Sequence, residues 1–169
     1  MNLKQEKATV KMTNKAYKSI IESGEELKQW IGKELGLSEW ITITQEDINT
    51  FAKLTKDEQW IHVDVERSRR ESPFKQPVAH GFLVLSYASH FAYECFEVKG
   101  FAMGVNYGLN KVRFVSPVPV DARMRGRITL LSVEDITGGI RYIMKVTFEL
   151  EGQEKPACVA EFVALGYVG

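Results

Sequence analysis

The chain has 169 residues, of which 44% are hydrophobic and 26% are charged, a balance typical of one soluble globular domain. Its 22 Lys and Arg residues equal its 22 Asp and Glu residues, so no net field attracts nucleic acid or an anionic membrane. Two cysteines, Cys95 and Cys158, are too few for a disulfide framework or a zinc site, and we expect both to be buried as small apolar residues.

The N-terminal third predicts helices and then a strand. Residues 1–12 are charged and predict a frayed arm without an apolar signal sequence, so we expect a cytoplasmic protein. Over residues 13–35 apolar side chains recur at helical spacing, which predicts two short helices separated at Ser23–Gly24. Gly36 predicts the C-cap. We therefore expect a helical extension over residues 1–35, followed by one domain over residues 36–169 that begins with a strand at Trp40–Ile43.

The middle of the chain predicts helices. Thr44 is an N-cap candidate, and the helix behind it runs to about Leu54. The segment TKDEQWIHVD, residues 55–64, follows as a turn, and a further short helix ends near Ser72. From Gly81 to Phe96 the chain has no Pro and no second Gly, and it is apolar nearly all round, which predicts one buried central helix. This helix is too short to span a membrane.

After Gly100 the apolar pattern changes to period two. Five segments read as strands, at residues 101–108, 109–115, 122–134, 140–152 and 157–167. Gly138–Gly139 and Glu151–Gly152 lie where hairpin turns are expected. The fold class is therefore α+β, a curved antiparallel sheet wrapped around a long central helix. Arg123, Arg125 and Arg127 alternate on one strand and predict a solvated face.

Asp57 and His62 are the first candidate pair for chemistry. A carboxylate and an imidazole that share a turn suit general acid/base work near neutral pH. The alternative from the residues alone is an Asp that caps a turn and a His that packs against Trp60. Glu58 and Asp64 lie as close, and we assign them to solvent and to helix capping.

Ala79-His80-Gly81, at the start of the central helix, is the second candidate. A helix N-terminus offers unpaired backbone N–H groups to an anion or a polarised carbonyl oxygen, and Gly permits close approach. The alternatives are a Gly at an ordinary N-cap and a His80 that braces a loop. The sequence contains no phosphate-binding Gly-rich loop, metal-ligand cluster or serine nucleophile elbow, so we expect no metal and no cofactor.

Residues 51–83 together resemble the MaoC-type dehydratase family, which includes the (R)-specific enoyl-CoA hydratases. The family motif small-Gly-Asp-x-Asn-Pro-apolar-His is matched by residues 55–62, with Asp57 and His62 in register. The family's Ala-His-Gly-x-Leu block is matched by residues 79–83. NYGLNKVRF, residues 106–114, is most similar to the nodulation protein N-like branch. Lys56, Gln59 and Trp60 replace the usual Gly, Asn and Pro.

The resemblance covers about residues 36–165 and implies a hot-dog fold and a fatty-acyl hydratase. It implies reversible hydration of a 2-enoyl-CoA to a 3-hydroxyacyl-CoA, with a homodimer as the assembly. The resemblance implies that Asp57, His62 and Gly81 are catalytic and that Gln59, Trp60, His80 and Ser89 bind substrate. Two alternatives stay open, a hot-dog acyl-CoA thioesterase and a non-catalytic acyl-CoA-binding or interaction module.

Overall fold

A computed structural model describes residues 14–169, in which eight strands form one sheet. The strands are β1 (Tyr17–Ile21), β2 (Glu34–Leu37), β3 (Ile41–Thr42), β4 (Phe96–Val98), β5 (Phe101–Phe114), β6 (Arg123–Ile136), β7 (Gly139–Leu150) and β8 (Cys158–Val168). They follow the order β4-β1-β2-β6-β7-β8-β5, and β3 pairs with β6. The pairs are antiparallel except β1 with β4, so the sheet is mixed and the prediction of a purely antiparallel sheet is wrong on this point.

Residues 14–169 also contain six helices, and the last of them lies directly against the sheet. They are α1 (Gly24–Leu27), α2 (Gln45–Thr55), α3 (Trp60–Val63), α4 (Val65–Glu71), α5 (Gly81–Ser86) and α6 (Ala88–Cys95), with a 3₁₀ turn at Lys28–Trp30. A Cβ placed on Gly126 would lie 2.5 Å from Cβ of Phe91, and one on Gly36 would lie 2.0 Å from the Cys95 carbonyl oxygen. These two glycines therefore let α6 pack on the sheet at backbone distance. The α+β architecture is confirmed.

Within the described residues, the prediction of a helical extension over residues 1–35 is right for the short helix that begins after Ser23 and wrong for residues 17–21, which form β1. Residues 1–13, which contain the predicted arm, lie outside the described residues. β1 pairs with β2 and β4, so this segment belongs to the sheet, and a domain boundary at residue 35 would cut β2. Gly36 is a residue of β2 and not a helix C-cap. The absence of a side chain there leaves room for the backbone of α6 at Cys95. The apolar residues recur at helical spacing here because Ile21 of β1 and Leu27 of α1 both pack into the same core, and not because they lie on one helix.

Two further element predictions also need correction. The central helix is broken at Tyr87 into α5 and α6, and it is not apolar-buried all round, since Phe82 is 69% and Tyr93 78% exposed. The two strands predicted at residues 101–108 and 109–115 are the single strand β5, which continues through register shifts. Thr44 is confirmed as the N-cap of α2, where it forms a capping box with Asp47, and the burial of both cysteines is also confirmed.

Two of the three arginines of the predicted solvated face form a buried ion-pair network instead, whereas Arg123 is exposed as predicted. Arg125 and Arg127 are only 6% and 7% exposed. Glu149 accepts hydrogen bonds from both, at 2.7 and 2.6 Å, and Arg127 also pairs with Glu34 at 2.8 Å. Burial opposes the charge on Glu149, but these hydrogen bonds outweigh it and hold its pKa below the usual value. The network joins β2, β6 and β7 on the sheet face opposite α6. Among the described residues, no helix is long and apolar enough to cross a membrane.

Candidate active site

The first segment of the site is the loop between α2 and α3. Lys56 ends α2 in the left-handed conformation, with φ of 65°, and this turns the chain toward Asp57, which is exposed. α3 then carries His62, which is only 7% exposed. The backbone of His62 is held at both ends, because its N–H donates to Gln59 O at 3.0 Å and its carbonyl accepts from Gln45 Nε2 at 2.8 Å.

The second segment is the extended stretch that enters α5, and it is cross-tied to the first. The Val78 N–H donates to Ile61 O at 3.2 Å. His62 Nδ1 lies 2.6 Å from Val78 O, while His80 Nε2 lies 2.9 Å from Asp57 O. Each segment thus contributes an imidazole that binds a backbone carbonyl of the other. The two rings stack, with centroids 3.8 Å apart and planes 27° apart.

The carbonyl partners determine which ring nitrogens carry protons. A carbonyl oxygen accepts and never donates, so neutral His62 carries its hydrogen on Nδ1 and neutral His80 carries it on Nε2. Nε2 of His62 is then left with a free lone pair. This is the tautomer that a general base requires, beside the carboxylate of Asp57.

Burial also favours the neutral form of His62. Desolvation is the largest influence on the pKa of His62, and together with the neighbouring His80 it outweighs the Val78 hydrogen bond and the Asp57 charge, so that the pKa lies below the usual 6.5. His62 is therefore able to accept a proton at neutral pH.

The cluster contains three side chains of types that can bind a metal ion, Asp57, His62 and His80. One carboxylate oxygen and one ring nitrogen from each histidine lie within 4.8 Å of one another. The ring geometry does not suit joint coordination. The lone pairs of an imidazole lie in its plane, and two nearly parallel planes 3.8 Å apart cannot direct them at one ion about 2.0–2.1 Å from each nitrogen. The arrangement fits a site that moves protons rather than a metal centre.

Gly81 follows His80 and begins α5, as predicted. It lines a recess of about 250 Å³ together with Phe74, Val84 and Phe114. The Phe114 ring comes within 3.1 Å of where a Gly81 Cβ would lie, so this approach to the helix start is narrow.

Ser89 lies elsewhere, in a recess of about 370 Å³ between α6 and β5 that is lined by apolar side chains such as Phe96 and Phe101 and by the polar Lys18, Glu97 and Asn106. Its hydroxyl accepts a hydrogen bond from Asn106 Nδ2 at 3.0 Å. Over residues 14–169 no hydrogen bond joins Ser89 to His62 or His80. The substrate-binding role that the family resemblance implies for Ser89 therefore gains no support from the hydrogen-bonding pattern.

Gln59 and Trp60 support α3 in the structure. Gln59 is exposed and its carbonyl accepts from His62, and the Trp60 ring lies under the Arg67 guanidinium at 4.3 Å. Neither residue lines the two recesses described above. The sequence did not reveal the role of Val78, because Val78 contacts His62 through its backbone carbonyl. It also did not reveal that Asn106 of β5 donates a hydrogen bond to Ser89.

Comparison with known proteins identifies the family. The family described as MaoC-like domain matches residues 26–151. The 3-hydroxyacyl-thioester dehydratase Z of Mycobacterium tuberculosis is 46% identical over 143 residues, covering 84% of this chain and 94% of that protein. The chain belongs to the MaoC-like domain family. Nodulation protein N of Rhizobium leguminosarum bv. viciae is 43% identical over 138 residues, covering 80% of this chain and 85% of that protein.

Solved structures show the same fold. The monoamine oxidase regulatory protein of Archaeoglobus superposes with a TM-score of 0.72 at 25% identity, covering 89% of this chain and 97% of that one. The unliganded R-hydratase PhaJ1 of Pseudomonas aeruginosa superposes with a TM-score of 0.67 at 19% identity, covering 87% and 86%. The implied hot-dog fold of this MaoC-like chain is confirmed.

Lys56 provides a test of the loop geometry. The MaoC-type motif places Gly at this position, and a side chain in the left-handed region costs roughly 1–2 kcal/mol. We expect Lys56→Gly to raise the free energy of unfolding by about 0.5–1 kcal/mol, after the greater unfolded-state entropy of Gly is subtracted. Urea unfolding measures this. Lys53→Gly, inside α2, is the control and should lower stability by about 1 kcal/mol. Equal losses in both variants would contradict the geometry.

Proposed function

We propose that the protein is a hydratase/dehydratase that interconverts 2-enoyl and 3-hydroxyacyl thioesters, with acyl-CoA as the thioester and no cofactor. The observation that carries the proposal is the fixed, neutral His62 with a free Nε2 beside Asp57. The 46% identical relative named 3-hydroxyacyl-thioester dehydratase Z supports the substrate class. The matched region of this chain spans 94% of that relative, so we propose the complete hydratase/dehydratase reaction for this chain.

In the hydration direction, Asp57 and His62 hold one water molecule. As the water oxygen bonds to C3 of the enoyl group, His62 Nε2 takes one water proton, and the C2–C3 π electrons move onto the thioester as an enolate. The enolate then collapses while C2 takes a proton from the same Asp57–His62 pair. Water is thereby added across the double bond, with hydroxyl on C3 and hydrogen on C2, and both side chains regain their initial states. Dehydration reverses these steps.

The Gly81 amide is the proposed donor to the thioester oxygen, where negative charge develops in the enolate. Removing such a donor typically costs about 3–4 kcal/mol. Gly81→Ala keeps the N–H and crowds only the flexible Phe114 ring, so it is a mild perturbation. We place the thioester beside Asp57, His62 and Gly81, and the substrate contacts assigned to Gln59, Trp60 and Ser89 rest on the family resemblance alone.

Asp57→Asn and His62→Gln are expected to lower the rate of crotonyl-CoA hydration by about 10²–10⁴-fold each, because each removes a proton-transfer group. The loss of enoyl absorbance measures the rate, and circular dichroism checks the fold. Glu58→Gln and His90→Gln are matched controls, since both residues are exposed and lie outside the proposed chemistry.

Full activity in either site variant would contradict the mechanism. Free CoA thiol released without hydration would identify a thioesterase, and binding without turnover would identify an acyl-CoA-binding module.

The proposal includes a homodimer formed along β5. This strand has 14 residues and lies at the edge of the sheet, whereas the opposite edge strand, β4, has three. A long exposed edge with unpaired backbone groups favours pairing with a second copy. Large apolar side chains are exposed along it, including Met103, Tyr107 and Leu109.

Leu109→Lys is expected to shift the protein from dimer toward monomer, because it places a charge on the proposed seam. Sedimentation velocity over a concentration series measures the change. Ile31→Lys is the control, because Ile31 is 45% exposed against 43% for Leu109 and lies outside β5. A wild-type chain that stays monomeric, or equal effects of the two substitutions, would contradict β5 as the interface.

A further inference from the structure

We infer that His80 is a positioning residue that holds Asp57 in place for the reaction. This inference rests on the proposed function and goes beyond the substrate-binding role that the sequence suggested for His80. It follows from the cross-tie between the two segments, in which His80 Nε2 donates to Asp57 O at 2.9 Å.

Asp57 has little else to hold it. Asp57 and Glu58 lie between α2 and α3, and within the described residues neither makes a hydrogen bond besides the one that the Asp57 carbonyl accepts from His80. The Asp57 side chain is exposed, and the preceding Lys56 sits in an unfavourable left-handed conformation. The Asp57 carboxylate must face one water molecule in a defined geometry. The hydrogen bond from His80 to the Asp57 carbonyl therefore determines whether the carboxylate is positioned for the reaction.

His80 is itself rigidly placed. It is 2% exposed and lies between the His62 ring, at 3.8 Å, and the Phe51 ring, at 5.1 Å. Its backbone lies at the start of α5, and the neighbouring Ala79 N–H donates to Val118 O at 2.8 Å. The donor to Asp57 therefore comes from the better-anchored segment and immobilises the other.

Stability alone does not account for a histidine here. The second ring nitrogen of His80, Nδ1, is buried without a hydrogen-bond partner in residues 14–169. A buried polar atom without a partner is unfavourable and is retained where it serves another purpose. An apolar ring would fill the same space without that penalty, but it would leave the Asp57 carbonyl without a donor. The structure therefore assigns the imidazole to the hydrogen bond.

Two substitutions separate the donor from the ring. His80→Phe keeps a ring against His62 and removes the N–H, whereas His80→Gln removes the ring and keeps an N–H that can reach Asp57 O. We expect His80→Phe to lower kcat for crotonyl-CoA hydration by about 10–100-fold with KM changed less than threefold, since displacement of a catalytic group by about 1 Å can cost 10²-fold. His80→Gln should recover most of the loss, and His90→Phe is the control.

Backbone ¹⁵N relaxation tests the anchor without any activity, because order parameters report the mobility even of amides that make no hydrogen bond. In the full-length protein, the order parameters of residues 57–59 should be lower in His80→Phe than in wild type or His80→Gln, while those of α6 are unchanged. Equal order parameters at residues 57–59 in all three, or activity lost in His80→Gln and kept in His80→Phe, would overturn the inference. A wild type with no turnover would instead refute the proposed function, and the relaxation result would still decide the anchoring role of His80.

Discussion

The site depends on a pair of reciprocal hydrogen bonds between two short segments. His62 donates to the Val78 carbonyl and His80 donates to the Asp57 carbonyl, so a backbone carbonyl of each segment holds the imidazole of the other segment in place. The same contacts set the tautomers of both rings, and burial together with the neighbouring His80 lowers the pKa of His62 and favours its neutral form. Position, proton location and charge state thus follow from one local constraint.

The sheet supports this constraint through the second segment. Val78 bridges to Pro119, and Val120 N–H donates to Pro77 O at 3.0 Å, which ties the segment to the loop before β6. β6 in turn receives α6 at Gly126, where the helix and strand meet at backbone distance. The first segment, by contrast, ends a helix and crosses an exposed loop. The fold therefore provides a fixed half and a half that must be held by side chains.

The sequence predicted the parts of this site whose signals are local. The spacing of Asp57 and His62, the Thr44 cap and the start of a helix at Gly81 were all readable, because each depends on neighbouring residues. The first sheet strand was not, because β1 is defined by partners far along the chain and its apolar residues imitate helical spacing. Arg125 and Arg127 were misassigned for the same reason, since Glu34 and Glu149 reach them only through the sheet. The role of Val78 had no sequence signal, because any residue offers a carbonyl.

The protonation state of His62 decides whether this residue can act as the base that activates water. The chain has three histidines, so ¹⁵N NMR of the imidazoles, assigned with His80→Gln and His90→Gln variants, resolves each ring. We predict that His62 is neutral at pH 7, with its hydrogen on Nδ1 and a bare Nε2, and that the midpoint of its titration lies below pH 6.5, because burial lowers its pKa. A hydrogen on Nε2, or an imidazolium at pH 7, would contradict His62 as the base that activates water.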